Sequence, residues 1–260
     1  MSTADCGVTY AVSDRIARIT LNRPPVNALT LDMIGAVVAA LKQAAADDEV
    51  RAAILTSALP GRFCAGLDLD LLLSADNDKI RALLQALYLD LHDAQRALGK
   101  PSIAAVGGAA RGGGVTLAIS CDVIIAAESA SFGYPEIDIG VLPAIHFAHL
   151  PRIVGRHRAF ALLFSGRSFG AQEALDLGLV SKLVADAELA TATMALAKTF
   201  AAKSPAAMRL GRAAFMRQND DDERRRIAEA VEDFCQSAAA DAAREGIRAF
   251  VEKRKPNWQD

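Results

Sequence analysis

Residues 102–120 read Ser102-Ile103-Ala104-Ala105-Val106-Gly107-Gly108-Ala109-Ala110-Arg111-Gly112-Gly113-Gly114-Val115-Thr116-Leu117-Ala118-Ile119-Ser120. The run from Ser102 to Val106 suits a buried strand, and Val115 to Ser120 suits a helix. Glycines between them permit unusual backbone angles and close approach of a ligand, and the first turn of a helix offers N–H groups without intrahelical acceptors. Such a turn receives negative charge well. Read alone, it is equally a tight strand-to-helix connection. The contiguous glycine triplet lacks the G-x-G-x-x-G spacing of a dinucleotide site, and no Gly-Lys-Ser/Thr follows as in a Walker loop.

Upstream, Val50 to Thr56 reads as another buried strand and leads to a second glycine site, Gly61-Arg62-Phe63-Cys64-Ala65-Gly66-Leu67-Asp68-Leu69. Two N–H-rich turns at neighbouring strand ends can meet at the carboxyl edge of a parallel sheet. Downstream, Phe132-Gly133-Tyr134-Pro135-Glu136 places a carboxylate in apolar company after a strand containing Ile124 and Ile125. A surface helix cap is the plainer reading of Glu136.

Further out, Val8 to Leu21 alternates as a hairpin around Ser13-Asp14. Thr30 or Asp32 can cap a helix to about Ala46, with Leu31, Ile34, Val38 and Leu41 on one face. A second helix is expected over about Lys79 to Leu98, and further strands at Val123–Ala126 and Val180–Val184. This order argues for parallel strands joined by helical crossovers. After Asp186 the pattern becomes Ala-rich helix, interrupted at Ser204-Pro205, near Asn219-Asp220 and near Asp241.

The chain has 260 residues, 52% hydrophobic and 23% charged, enough for a buried core and too apolar for disorder. A formal charge of -2 supplies no general field for nucleic acid or an anionic membrane. Arg209, Arg212, Arg217 and Arg224–Arg226 are interleaved with Asp220-Asp221-Asp222-Glu223, which breaks any basic stripe. The first residues lack the pattern of a secretory signal, and apolar runs stop short of a membrane span. No membrane association is expected, and the cytoplasm is the expected location. Cys6, Cys64, Cys121 and Cys235 are too scattered for a disulfide framework and are read as reduced, structural thiols.

Taken together, the glycine sites and the Glu136 segment resemble the enoyl-CoA hydratase/isomerase (crotonase) family over nearly the whole chain. The resemblance is carried by Phe63 to Leu69, Lys100 to Gly114 with Cys121-Asp122, and Pro135-Glu136-Ile137-Asp138-Ile139-Gly140. Leu163 to Arg167, Ala171 to Ala174 and Phe250 to Asn257 extend it. It implies an α/β fold: a spiral of repeated ββα units over residues 1–200 holding the acyl-CoA site, then a helical trimerisation region over 201–260. A homo-trimer or dimer of trimers is expected. The backbone N–H groups of Leu67 and Gly113 would form an oxyanion hole for a thioester carbonyl. Val26, Ala65, Asp68 and Leu69 match positions near the CoA adenine. Phe250 and Lys253 match positions that reach a neighbouring subunit's nucleotide, although Lys253 within Glu252-Lys253-Arg254-Lys255 also reads as a solvated face. CoA is part of the substrate, so no separate cofactor and no metal are expected.

Hydratases of this family use two glutamates. Glu136 matches one position, but the other holds Thr116, which cannot act as a carboxylate base and is left to position water or bond the preceding helical turn. One carboxylate suits a proton shuttle, so the resemblance points first to 3-enoyl to 2-enoyl isomerisation, with 2-enoyl-CoA hydration as the alternative. A catalytically weak binding or assembly paralogue is a third reading. Dienoyl isomerisation is disfavoured because the aspartate it requires would fall near Ala144. The tail pocket is expected at Leu71 to Leu91 with His146 and Phe147. His146 and His149 at i, i+3 lack a third metal ligand and read as packing or pocket residues. Asp138 could assist Glu136, although its two-residue offset on an extended stretch would point it the other way; Arg111 could meet a charged acyl group or a neighbouring subunit, with a surface salt bridge the plainer reading.

Overall fold

The computed structural model describes residues 6–74, 77–219 and 222–258. Two sheets organise it. Strands β1 (Val8–Ser13), β2 (Ile16–Leu21), β3 (Ala52–Ser57), β5 (Ser102–Val106), β7 (Val123–Ala127) and β10 (Lys182–Val184) form the larger sheet in that order. The smaller sheet has the order β4 (Gly61–Cys64), β6 (Gly108–Arg111), β8 (Ser131–Gly133) and β9 (Ser168–Gly170). The hairpin β1–β2 is antiparallel, β2–β3–β5–β7–β10 are parallel, and β9 alone runs antiparallel in the smaller sheet.

The parallel strands expected from periodicity form the larger sheet, and the smaller sheet supplies the second strand of each ββα unit of the expected spiral. Each of β3, β5 and β7 feeds a short strand in the other sheet before the chain turns onward, which is a ββ step repeated along a spiral. The short strands escape a pattern reading because they are three or four residues long and rich in glycine and alanine. Their glycines are there for close approach: a Cβ on Gly108 would lie 2.1 Å from the carbonyl carbon of Gly61.

Helix α1 (Leu31–Ala46) begins where Thr30, in extended conformation, accepts the Met33 N–H at 3.2 Å. Its buried face is Met33, Ile34, Val37, Val38, Leu41 and Ala44, while Leu31 is exposed, contrary to the expected stripe. The Lys100 amine closes its far end by donating to the carbonyls of Ala44, Ala45 and Asp47. After α2 (Leu69–Ser74), the expected long helix is three joined pieces: α3 (Asn77–Leu84), a π-helical segment Gln85–Asp90, and α4 (Leu91–Ala97). The π segment buries Ala86, Leu87, Tyr88 and Leu89, a wider face than one α-helical stripe supplies.

Helix α5 (Gly113–Ile119) follows the glycine triplet, and a 3-10 turn, Pro135–Ile139, carries Glu136. Then come α6 (Ile145–Val154), α7 (Arg156–Ser165), α8 (Ala171–Asp176) and the terminal helices α9 (Leu189–Ala201), α10 (Pro205–Asn219), α11 (Glu223–Ala238) and α12 (Asp241–Val251). The breaks expected at Ser204-Pro205 and Asp241 are present; Asp220 lies outside the described residues. Ile227, Val231, Phe234, Ala243 and Ile247 of α11 and α12 join the same buried cluster as Leu29, Phe63 and Leu117 of the spiral. Among the described residues no helix is long and apolar enough to cross a membrane.

Candidate active site

The first loop is held by Asn27. Its side-chain amide donates to Ser57 Oγ at 2.8 Å and to the Phe63 carbonyl at 2.9 Å, and its Oδ1 accepts the Arg23 N–H at 2.7 Å. Asn27 adopts φ 53°, a left-handed angle that asparagine tolerates better than most residues. The loop pairs with the chain before α1 through Leu29 N–H to the Gly66 carbonyl at 2.7 Å and Asp68 N–H to the Leu29 carbonyl at 3.0 Å. In this parallel bridge Leu67 itself donates nothing to Leu29, so its N–H faces the other way.

The second loop is Gly112-Gly113. Gly112 has φ 45° and ψ -114°, gives its N–H to the Gly133 carbonyl at 3.0 Å, and accepts from Val115 and Thr116 at 2.8 and 3.1 Å. Gly113 opens α5, so its N–H has no acceptor one turn earlier. The two loops touch: a Cβ on Gly66 would be 3.4 Å from Gly113 N. A Cβ on Gly113 would meet Leu87 at 3.1 Å and Leu29 at 3.2 Å as well as Gly66 at 3.6 Å.

The Glu136 carboxylate rests directly on Gly112, where a Cβ would stand 2.1 Å from Oε1. Its Oε2 is sheltered from solvent and receives no hydrogen bond, although the residue as a whole retains partial exposure. Burial pushes the carboxyl up to about 7, against a small opposing effect of its own backbone N–H. Burial first, and the Glu136 charge second, raise the phenols of Tyr88 and Tyr134. Thr116 is buried, and its Oγ1 lies 3.3 Å from His146 Nε2. Burial, and then His149, push the His146 imidazole down to about 3, so it is neutral. A carboxyl poised near neutrality beside two N–H groups without ladder partners can move a proton while charge develops on a neighbouring oxygen.

The smaller set of expected positions is also brought together. Ala65 N–H donates to the Val26 carbonyl at 3.0 Å, Asp68 pairs with Arg23 at 3.0 Å, and Leu69 starts α2. Phe250 and Lys253 instead lie exposed at the end of α12. Two readings are corrected and a third only in part. Asp138 lies on a 3-10 turn, not an extended stretch, with its carboxylate against Gly166. Arg111 donates to the Ala110 and Ser131 carbonyls at 2.9 and 2.8 Å and to Ser131 Oγ at 2.9 Å, not to a surface carboxylate. A cavity of about 810 Å³ is lined by Leu87, Tyr88 and Leu91 from the end of the expected tail-pocket stretch and by Thr116, Ile145, Arg212 and Phe215 among others, while Leu71, His146 and Phe147 do not line it. Cys64 and Cys121 are buried thiols pushed up to about 12 by burial, and all four cysteines are free. Among the described residues no group of three or more His, Cys, Asp or Glu could hold a metal.

Asn27, Tyr88 and Tyr134 were not singled out by their sequence context. Asn27 after Pro24-Pro25 is a legible turn signal, and the unbroken apolar face around Tyr88 marks the π segment; Tyr134 has no such signature.

The sequence model described as enoyl-CoA hydratase/isomerase matches residues 11–260. The chain belongs to the enoyl-CoA hydratase/isomerase family. Relatives in this family include the short-chain-enoyl-CoA hydratase of Clostridium acetobutylicum, 34% identical over 246 residues that cover 93% of each chain. The 2,3-dehydroadipyl-CoA hydratase of Escherichia coli K12 is 34% identical over 247 residues, covering 94% of this chain and 95% of that one. Among solved structures, an enoyl-CoA hydratase from Mycobacterium avium subsp. paratuberculosis K-10 superposes with a TM-score of 0.88 at 27% identity, covering 98% and 99% of the two chains. The two-sheet spiral with terminal helices is thus the crotonase fold, and as a hydratase/isomerase family member this chain is an enzyme acting on acyl-CoA.

Proposed function

We propose that the protein moves a double bond in an enoyl-CoA thioester, from the 3-position to the 2-position, with Glu136 as the single acid/base. The ionised carboxylate takes a proton from C2. Charge passes to the thioester oxygen, which the N–H groups of Leu67 and Gly113 stabilise, and Glu136 returns the proton to C4 of the dienolate. Each such donor is worth about 10²–10³ in rate where it has been removed elsewhere. One observation carries the preference: the position where a second carboxylate would stand is Thr116, and its hydroxyl is buried against His146. A carboxyl near pH 7 suits both halves of the transfer.

The rest of the reading follows the same line. The acyl tail runs past Thr116 and Tyr88 into the cavity towards α10, the adenine lies by Val26, Ala65, Asp68 and Leu69, and Phe250 and Lys253 serve a neighbouring subunit in a trimer. Hydration of a 2-enoyl-CoA is the second reading, favoured by relatives that bear the hydratase name. Matched 2-enoyl- and 3-enoyl-CoA series, followed by mass and ultraviolet absorbance, separate the two. Glu136→Gln should lower turnover at least about a hundredfold while acyl-CoA still binds, and Thr116→Val should change isomerisation little. Rapid hydration that depends on Thr116, with no conversion of 3-enoyl-CoA, would replace isomerisation by the second reading.

A further inference from the structure

We infer that His146 is a positioning residue: its Nε2–H, 3.3 Å from the Gly112 carbonyl oxygen, fixes the plane of the Gly112–Gly113 peptide and so aims the Gly113 N–H. The inference rests on the reading of Gly113 as an oxyanion donor, and goes beyond it by naming what holds that donor still. A peptide unit is planar, so restraining its C=O end restrains its N–H end. This one lies between two glycines, with Gly112 at φ 45° and no capping side chain, where backbone rotation is least hindered. The other two bonds to the Gly112 carbonyl come from Val115 and Thr116 of α5 itself. His146 comes from α6 and ties the peptide to a separate element.

Positioning of this kind requires the tautomer with the proton on Nε2. A carbonyl oxygen has no proton to give, so a hydrogen bond to Gly112 O needs the proton on Nε2, which is then shared between Gly112 O and Thr116 Oγ1 at 3.3 Å each. That leaves Nδ1 bare, buried and without a hydrogen bond, with the Tyr134 ring centroid 4.5 Å from that of the imidazole. An unsatisfied buried acceptor is unfavourable, and an apolar side chain of similar size would avoid it. The Nε2 contacts are what a histidine supplies here that leucine does not. Burial also keeps the ring neutral, so it restrains the donor without adding charge to the site.

The test binds a saturated, unreactive acyl-CoA, butyryl-CoA, and records its thioester carbonyl stretch by isotope-edited infrared difference, beside kcat, KM and thermal melts. In the parental protein the band should lie lower than in water. His146→Leu should lose most of that displacement and about ten- to hundredfold in kcat, less than removal of a whole donor, with KM little changed and a melting temperature equal or higher. His146→Gln, which keeps a side-chain N–H, should recover the band position and kcat to within about threefold. A parental protein with no displacement sinks the oxyanion reading of Gly113 and this inference with it. A displacement unchanged in His146→Leu sinks this inference alone. So does a His146→Leu chain that fails to fold, because positioning requires that an apolar replacement be tolerated.

Discussion

Two ionisable side chains, the part-buried Glu136 and the buried His146, flank Gly112, and desolvation moves them in opposite directions. The Glu136 carboxyl rises from 4.5 to about 7, so the folded chain holds its proton more tightly than the unfolded one. Stability from this group is fully present below about pH 4.5 and declines as pH climbs to 7, by roughly 3 kcal/mol in all. His146 falls from 6.5 to about 3, so its share is present above pH 6.5 and is lost as pH falls towards 3. Between about pH 4.5 and 6.5 the two slopes oppose each other. Thermal melts across that window should therefore show Glu136→Gln gaining over the parent as pH rises, and His146→Leu gaining over it as pH falls. A Glu136→Gln difference that is flat with pH would mean the carboxyl titrates at its ordinary value. With Glu136 as the proposed base, the acid limb of kcat/KM should fall below about pH 7, where the carboxyl loses its charge.

Among the elements, α12 positions the Glu136 turn. A Cβ on Gly246 would stand 2.4 Å from the Ile139 carbonyl oxygen, and one on Gly140 would stand 2.8 Å from the Ala242 carbonyl carbon. Backbone meets backbone there, so the turn cannot shift without the helix. Gly246→Val should cost about 1–3 kcal/mol by overpacking and should lower kcat more than KM, since Glu136 moves with its turn. Gly35→Ala, at an exposed position of α1 with open space around its Cβ, should instead raise stability by roughly 0.5–1 kcal/mol and leave kcat alone. Urea unfolding and steady-state kinetics on the two variants decide this. Parental kcat in Gly246→Val would show that α12 does not set the carboxylate's place. The same packing means that removing α12 would disturb the site within one chain, apart from any effect on assembly.

Over the whole molecule, large apolar side chains remain exposed at Phe160, Phe164, Leu210, Phe215 and Phe250, and Phe147, Phe164 and Phe160 stack with ring centroids 5.7 and 4.3 Å apart. Such surface suits burial between subunits, in line with the proposed trimer. Phe250→Asp should then lower the sedimentation coefficient and weaken CoA binding together, by about tenfold or more, some 1.4 kcal/mol. A trimer that binds CoA as before would remove Phe250 and Lys253 from the nucleotide site. The larger sheet, the Thr30 cap and the breaks at Pro205 and Asp241 were legible in the sequence, because local periodicity and capping chemistry act within a turn or a strand. The order of three motifs along the chain also marked the two loops and the turn that hold Leu67, Gly113 and Glu136, the residues proposed for the chemistry. The smaller sheet was not legible as strands, since its glycines matter for what approaches them and not for any local preference. Nor was the meeting of His146 with Gly112: a histidine in α6 and a carbonyl before α5 become neighbours only when the spiral closes. The sequence by itself determined the family and marked the groups proposed for its chemistry. Tertiary packing decided which are buried, and burial sets both the Glu136 proton affinity and the neutrality of His146.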